Sequence, residues 1–176
     1  MVLSKETKIG WIGTGVMGAS MCRRIMDEGY SLHVYNRTNS KAQSLLNAGA
    51  VWCDSPRVIA QKCDVIFTIV GYPDDVEEVY FGNEGVLQAC REGMVFIDMT
   101  TTKPSLAIRI HKAAIAHNAT SIDAPVSGGD IGAQNGKLSI MVGGAETSVT
   151  AMLPLLNIMG DNIIYEGKAG SGQHTK

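Results

Sequence analysis

The stretch that decides the fold lies near the amino terminus and reads Lys8-Ile-Gly-Trp-Ile-Gly-Thr-Gly-Val-Met-Gly-Ala-Ser-Met21. Its apolar start predicts a buried strand, and its second half opens an amphipathic helix. Between the two lies a G-x-G-x-x-G motif, in the strand–turn–helix context that dinucleotide binding requires. Gly13 permits a tight turn, Gly15 lets a pyrophosphate approach the backbone, and Gly18 lets the helix pack closely on the strand.

Apolar runs and helical patterns alternate along the rest of the chain. The predicted strands are Lys8–Gly13, Ser31–Tyr35, Val65–Val70, Met94–Asp98, Ser121–Asp123, Leu138–Val142 and Ile163–Tyr165, with a weaker one near Val51. The predicted helices are Val16–Glu28, Ser40–Ala48, Pro56–Gln61, Asp75–Tyr80, Pro104–His117 and Glu146–Met159. This alternation predicts an α/β fold of Rossmann type, a doubly wound and mostly parallel sheet with helices on both faces.

The composition excludes several classes of function. Charged residues make up 18% and aromatic residues 6% of the 176 residues, and the net charge is −2, so we expect no nucleic-acid partner. The longest apolar run, Val65–Val70, is far shorter than the roughly 20 residues of a membrane span. The spacings of the four cysteines and four histidines predict free thiols, a reducing cytoplasmic location and no metal site.

The residues after the second predicted strand bear on the choice of cofactor. NAD sites normally carry an acidic residue here that accepts hydrogen bonds from the ribose 2′-hydroxyl. This chain has no Asp or Glu between Gly29 and Cys53, and offers Asn36, Arg37 and Thr38 instead. Because Arg pairs with a phosphate that a carboxylate would repel, the sequence favours NADP over NAD.

Two further motifs carry candidate chemistry. Asp123-Ala-Pro-Val-Ser-Gly-Gly129 presents the Ser127 hydroxyl beside several backbone N–H groups, which suits an anion, although a structural turn explains the pattern equally well. The sequence ends in Gly170-Ser-Gly-Gln-His-Thr-Lys176. A lysine in an apolar cleft can exchange protons near neutral pH, whereas a lysine in such a tail is ordinarily solvated surface.

With these motifs in their order, the chain resembles the amino-terminal cofactor domain of the β-hydroxyacid dehydrogenase family. That family includes 3-hydroxyisobutyrate dehydrogenase and tartronate semialdehyde reductase and is related to 6-phosphogluconate dehydrogenase. The resemblance runs from Lys8 to Lys176 and includes Gly136-Lys-Leu-Ser-Ile-Met-Val-Gly-Gly144. It implies hydride transfer between NADP(H) or NAD(H) and a short β-hydroxy acid, in a protein that forms homodimers or homotetramers.

The resemblance also implies a role for each candidate residue. Lys176 matches the catalytic lysine that takes or returns the alcohol proton, and Ser127, Gly128 and Gly129 match the substrate-binding loop. Thr100 matches a hydroxyl residue near the nicotinamide. The implied cofactor residues are Gly13, Thr14, Gly15, Val16, Met17, Gly18, Asn36, Arg37, Thr38, Val70, Gly71, Tyr72 and Thr100.

The chain departs from the family at two points. Arg24 stands where the family usually has Asn, and the 176 residues stop at the lysine, after which the family continues into an all-helical domain. We therefore expect residues 1–168 to form the dinucleotide-binding domain and residues 169–176 to begin a glycine-rich connector. A decarboxylating enzyme of the 6-phosphogluconate type and a non-catalytic NADP-binding module remain alternative interpretations.

Overall fold

The computed structural model describes residues 2–176, which form one sheet flanked by helices. The strands are β1 Ile9–Ile12, β2 Leu32–Tyr35, β3 Val51–Trp52, β4 Val65–Thr68, β5 Val95–Asp98, β6 Thr120–Asp123, β7 Val126–Ser127, β8 Leu138–Gly143 and β9 Gly160–Gly167. The α-helices are α1 Val16–Asp27, α2 Gln43–Asn47, α3 Pro56–Lys62, α4 Pro73–Phe81, α5 Pro104–Ile115, α6 Gly129–Asn135, α7 Glu146–Met159 and α8 Ser171–Thr175. Two 3-10 turns, Asn39–Ala42 and Val86–Ala89, complete the elements.

The sheet is mostly parallel, as the alternating pattern predicts. Its order is β3-β2-β1-β4-β5-β6-β8-β7, with β9 paired to β8. Strands β1 to β6 run parallel, while β8 runs antiparallel to β6 and β7. The strand order reverses between β1 and β4. In doubly wound sheets the crevice at such a reversal, at the carboxyl ends of the strands, is where ligands bind.

Each face of the sheet carries its own apolar core. Ile9 and Trp11 of β1 pack on the side of α1 and α7, whereas Ile12 packs on the side of α3, α4 and α5. Strands β1, β4 and β5 are buried along their whole length, as strands covered on both faces must be. The doubly wound fold is therefore confirmed.

Arg24 on α1 joins three helices on one face of the sheet. Its Nε donates to the carbonyl of Ile158 at 2.8 Å, and its Nη1 donates to the carbonyl of Gln134 at 3.0 Å. These carbonyls belong to the last turns of α7 and α6, where helices leave carbonyl groups without intrahelical partners. The guanidinium thus caps two helices at once.

Three elements near the carboxyl end lie outside the sequence prediction. The Ser-Gly-Gly motif contains β7 and the start of α6, which are two of them. The predicted strand Ile163–Tyr165 is present, as part of the eight-residue β9. The glycine-rich tail forms a short helix, α8. Within residues 2–176, no helix is both long enough and apolar enough to cross a membrane.

Candidate active site

The glycine motif forms the turn from β1 into α1, and each glycine has a distinct steric reason. Gly13 has a φ of +100°, and a Cβ there would lie 1.9 Å from the carbonyl oxygen of Ile69. A Cβ on Gly18 would lie 2.0 Å from the carbonyl oxygen of Gly13. Around Gly15 nothing lies within 4 Å of such an atom. The cradle is therefore closed where helix and strands meet and open where a pyrophosphate would approach the helix N-terminus.

A cleft of about 590 Å³ extends from this turn across the carboxyl ends of β1, β2 and β4. Eleven of the thirteen predicted cofactor residues line it: Gly13, Gly15, Val16, Met17, Gly18, Asn36, Arg37, Thr38, Val70, Gly71 and Tyr72. Thr14 lies behind the turn, where its N–H donates to Asn36 Oδ1 at 2.9 Å. The buried Thr14 Oγ1 has no hydrogen-bond partner. The volume, the open glycine and the helix N-terminus together suit a dinucleotide.

Arg37 stands at the mouth of the cleft with 85% of its side chain exposed. Its Nη1 donates to Asp75 Oδ1 at 2.9 Å. The other oxygen of Asp75 accepts the N–H of Tyr72 at 3.1 Å and so fixes the start of α4. The acid-free segment after β2 therefore faces a carboxylate from another element, which the local sequence argument missed.

Thr100 lies behind the cleft, at the turn that follows β5. Its Oγ1 accepts the N–H of Val70 at 3.1 Å, and its own N–H donates to Asp98 Oδ1 at 3.0 Å. Asp98 is buried and its Oδ2 has no partner. Burial raises the pKa of Asp98 to about 7, although the N–H and hydroxyl of Thr100 oppose the shift.

The predicted proton-transfer residue contacts the predicted substrate-binding loop, and neither of them lines the cleft. Lys176 Nζ donates to Ser127 Oγ at 2.6 Å. Gly128 and Gly129 follow with φ values of +135° and +62°, which turn the chain from β7 into α6. The fold thus brings together two motifs that are 49 residues apart in sequence.

Asp123 holds the helix that carries Lys176. It ends β6, where its Oδ1 accepts the N–H of Gly170 at 2.7 Å and its Oδ2 accepts the N–H of Gln173 at 2.9 Å. Burial raises the pKa of Asp123, and these N–H groups oppose the rise. Because Asp98 and Asp123 are paired in register, Lys176 is anchored at the same carboxyl edge of the sheet as the cleft.

Close packing explains the glycines of α8. A Cβ on Gly172 would lie 2.4 Å from the carbonyl oxygen of Met141 and 2.7 Å from that of Asp123. Gly170 has a φ of +91° and lies against Ile108. These glycines allow α8 to sit on the sheet, so their role is close approach rather than chain flexibility.

Sequence reasoning missed one end of the cleft and the anchor of α8. Asp54, Ser55 and Glu84 line the cleft beyond β2, and Ser55 is recognisable in sequence as the N-cap residue before Pro56. Gln173 carries no local signal, because its partners lie 71 and 73 residues away.

The four cysteines are all unpaired thiols, as their spacing predicts. In the part of the chain that the structure describes, no three His, Cys, Asp or Glu side chains converge as a metal ion would need. The metal-free site stays a prediction.

Comparisons with known proteins agree with this geometry. The chain is 53% identical over 177 residues to a probable 3-hydroxyisobutyrate dehydrogenase-like protein of Arabidopsis thaliana, covering 100% of this chain and 53% of that protein. The structure of Psf3 in complex with NADP+ and 2-OPP matches with a TM-score of 0.91 at 32% identity, covering 95% of this chain and 59% of that one.

The 3-hydroxyisobutyrate dehydrogenase of Mycobacterium tuberculosis, solved with L-serine, matches with a TM-score of 0.89 at 32% identity, covering 99% of this chain and 58% of that one. The chain thus spans somewhat more than half the length of the relatives it matches. The family model described as the NAD binding domain of 6-phosphogluconate dehydrogenase matches residues 8–167. The sheet order, the glycine turn and these matches agree, and the chain belongs to the family of the 6-phosphogluconate dehydrogenase NAD-binding domain, with 3-hydroxyisobutyrate dehydrogenases among its relatives.

Proposed function

We propose that this chain is the cofactor half of an oxidoreductase that transfers a hydride between NADP(H) or NAD(H) and a short β-hydroxy acid or semialdehyde, such as 3-hydroxyisobutyrate or tartronate semialdehyde. The observation that carries the proposal is the 2.6 Å contact between Lys176 Nζ and Ser127 Oγ, at the sheet edge where the cleft lies. An ammonium group beside a hydroxyl and two glycine amides suits a substrate that bears both a carboxylate and an alcohol.

Each part of the site has one task in this reaction. The N–H groups at the start of α1 bind the pyrophosphate, and the turn that contains Thr100 supports the loop at Val70. Ser127, Gly128 and Gly129 hold the substrate carboxylate. Lys176 Nζ takes the alcohol proton during oxidation and returns it during reduction. When bound, the cofactor supplies the nicotinamide carbon that accepts or gives the hydride.

NADP is the proposed preferred cofactor. Arg37 is exposed at the cleft mouth and makes one contact, to Asp75, which a 2′-phosphate can replace. The bound NADP+ of the Psf3 structure supports this choice for the fold. NAD remains the alternative, because Asp75 lies close enough to accept a hydrogen bond from Arg37 and adds negative charge near that position.

We further propose that residues 1–168 form the dinucleotide-binding domain, and that residues 169–176 lead to an all-helical domain that completes the site. Lys176 is exposed here. General acid–base catalysis needs a fixed geometry, and enclosure strengthens every electrostatic interaction in a site. We therefore expect the 176-residue chain to bind cofactor without useful turnover. A turnover within about tenfold of that of the complete gene product would contradict the two-domain proposal.

The catalytic proposal is tested with Lys176→Met in the complete gene product, assayed on 3-hydroxyisobutyrate, tartronate semialdehyde and 6-phosphogluconate. The matched control is Lys168→Met, at an exposed lysine just before the same helix. We expect Lys176→Met to lower kcat at least a thousandfold while the Kd for NADP+ stays within twofold, and Lys168→Met to change neither. Wild-type turnover in Lys176→Met would refute the role of the lysine, and turnover on 6-phosphogluconate alone would support the decarboxylating alternative.

A further inference from the structure

Gln173 is a buried side chain, 5% exposed, and both polar atoms of its amide are hydrogen-bonded to another part of the chain. Its Nε2 donates to the carbonyl of Thr100 at 2.7 Å, and its Oε1 accepts the N–H of Thr102 at 2.8 Å. Its main-chain N–H donates to Asp123 at 2.9 Å. One residue of α8 is thereby joined to the β5–α5 turn and to the end of β6.

Only an amide satisfies this arrangement. The turn offers one acceptor, the Thr100 carbonyl, and one donor, the Thr102 N–H, and a primary amide presents the complementary pair. A glutamate would set an oxygen against the Thr100 carbonyl, and a methionine of similar length would leave both backbone groups unpaired. The partners themselves therefore fix which end of the Gln173 amide is the donor.

These bonds continue in both directions to the site. On one side, the hydroxyl of Thr100 accepts the N–H of Val70, and Val70 lines the cofactor cleft. On the other side, Lys176 lies one helical turn beyond Gln173 and reaches Ser127. A continuous series of contacts therefore runs from the cleft wall to the lysine.

We propose that Gln173 is a positioning residue that holds Lys176 against Ser127 by joining α8 to the turn behind the cofactor cleft. This inference rests on the proposed role of Lys176 in proton transfer. Asp123 fixes the start of α8 by accepting the backbone N–H groups of Gly170 and Gln173. Within residues 2–176, its side chain has no hydrogen bond to the β5–α5 turn. Gln173 supplies that second attachment, and two attachments define an orientation that one cannot.

The test uses Gln173→Met, which removes both side-chain bonds at nearly constant length, and Gln173→Glu, which keeps the acceptor and removes the donor. The matched control is Gln88→Met, because Gln88 also donates to a backbone carbonyl, that of Gly82, but far from α8 in the fold. Circular dichroism and thermal unfolding establish that each variant is folded.

The first readout is amide hydrogen exchange on the 176-residue chain. We expect Gln173→Met to speed exchange at least tenfold both in residues 171–176 and in residues 100–102, and Gln173→Glu to speed it at least as much, because a buried carboxylate then faces the Thr100 carbonyl. Gln88→Met should leave both segments unchanged. Wild-type exchange at both segments in Gln173→Met would overturn the attachment.

The second readout is the separation of kcat from cofactor affinity in the complete gene product. We expect Gln173→Met to lower kcat at least tenfold while the Kd for NADP+ stays within twofold, because the lysine loses its position and the glycine turn does not. If kcat and the affinity for NADP+ fall by the same factor, the positioning role is overturned and Gln173 instead supports the cofactor loop. If Lys176→Met turns over normally, the proposed function fails, whereas the exchange result still decides the attachment.

Discussion

The ion pair at the mouth of the cleft gives the sharpest test of cofactor choice. Arg37 and Asp75 meet at 2.9 Å, but Arg37 is 85% exposed, so their pairing contributes about 0.5 kcal/mol, within the range of about 0.2–1 kcal/mol for exposed pairs. A charge-assisted contact from Arg37 to a 2′-phosphate contributes about 1.5–3 kcal/mol. After the cost of breaking the pair, Arg37 should favour NADP+ by about 1–2.5 kcal/mol, or roughly five- to seventyfold in Kd.

The variant Arg37→Ala should therefore weaken NADP+ binding by roughly five- to seventyfold and leave the Kd for NAD+ within about twofold. Asp75→Asn should act in the opposite direction. It frees Arg37 and removes a negative charge, while its amide oxygen can still accept the N–H of Tyr72, so NADP+ should bind up to about fivefold more tightly. Isothermal titration calorimetry of the 176-residue chain measures the Kd of each cofactor for the wild type and for both variants.

Arg23→Ala is the matched control, because Arg23 forms a comparable exposed pair with Asp27 at 2.7 Å on α1, and neither residue lines the cleft. It should change neither Kd. Two outcomes would refute this explanation: Arg37→Ala weakens the binding of NAD+ as much as that of NADP+, or Arg37→Ala binds NADP+ as tightly as the wild type does. Weaker NADP+ binding to Asp75→Asn would show that the carboxylate assists the phosphate rather than competing with it.

Three further outcomes follow from other parts of the structure. Because burial raises the pKa of Asp98 to about 7 from an unfolded value near 4, its protonated form is favoured by folding; the resulting stability is full below about pH 4 and is lost as the pH rises through 7. Urea unfolding from pH 5 to 8 should therefore show a shallower loss of stability in Asp98→Asn than in the wild type, with a residual slope from Asp123, and equal slopes would contradict this. Arg24→Met removes two charge-assisted helix caps and should lower the free energy of unfolding by about 1–3 kcal/mol, or roughly 2–12 °C in Tm. If Arg24→Met is as stable as Arg23→Ala, the two caps do not stabilise the fold. EDTA should not lower the turnover of the complete gene product, because a lysine side chain transfers the proton. A loss of activity that Zn²⁺ or Mg²⁺ restores would disprove metal independence.

The first part of the fold is predictable because local signals agree there. Strands β1, β4 and β5 are apolar up to the last residue of β4 and β5, and Pro56, Pro73 and Pro104 each stand at the first position of a helix. The glycine turn is equally local, since three residues within one short motif carry its steric requirements. Such features can be read from a window of a few residues, and they predict most of the residues that line the cleft.

The remaining features depend on distant partners. No local pattern connects Arg37 with Asp75, which lies 38 residues further along the chain. The tail after Gly167 has the composition of a linker, yet Asp123 and the close approach at Gly172 make it a helix on the sheet. Composition does not distinguish a glycine that loosens a chain from one that admits a neighbouring backbone.

The seating of α8 has a consequence for proteolysis. A protease must draw an extended, locally unfolded segment into its own cleft, so a helix held by backbone and side-chain bonds is cut only after it detaches. Lys168 is exposed and precedes α8, and its carbonyl accepts the N–H of Ser171. The rate of tryptic cleavage at Lys168 therefore reports how often this end of the chain lifts from the sheet, and a segment with the composition of a domain linker should resist digestion as a folded core does.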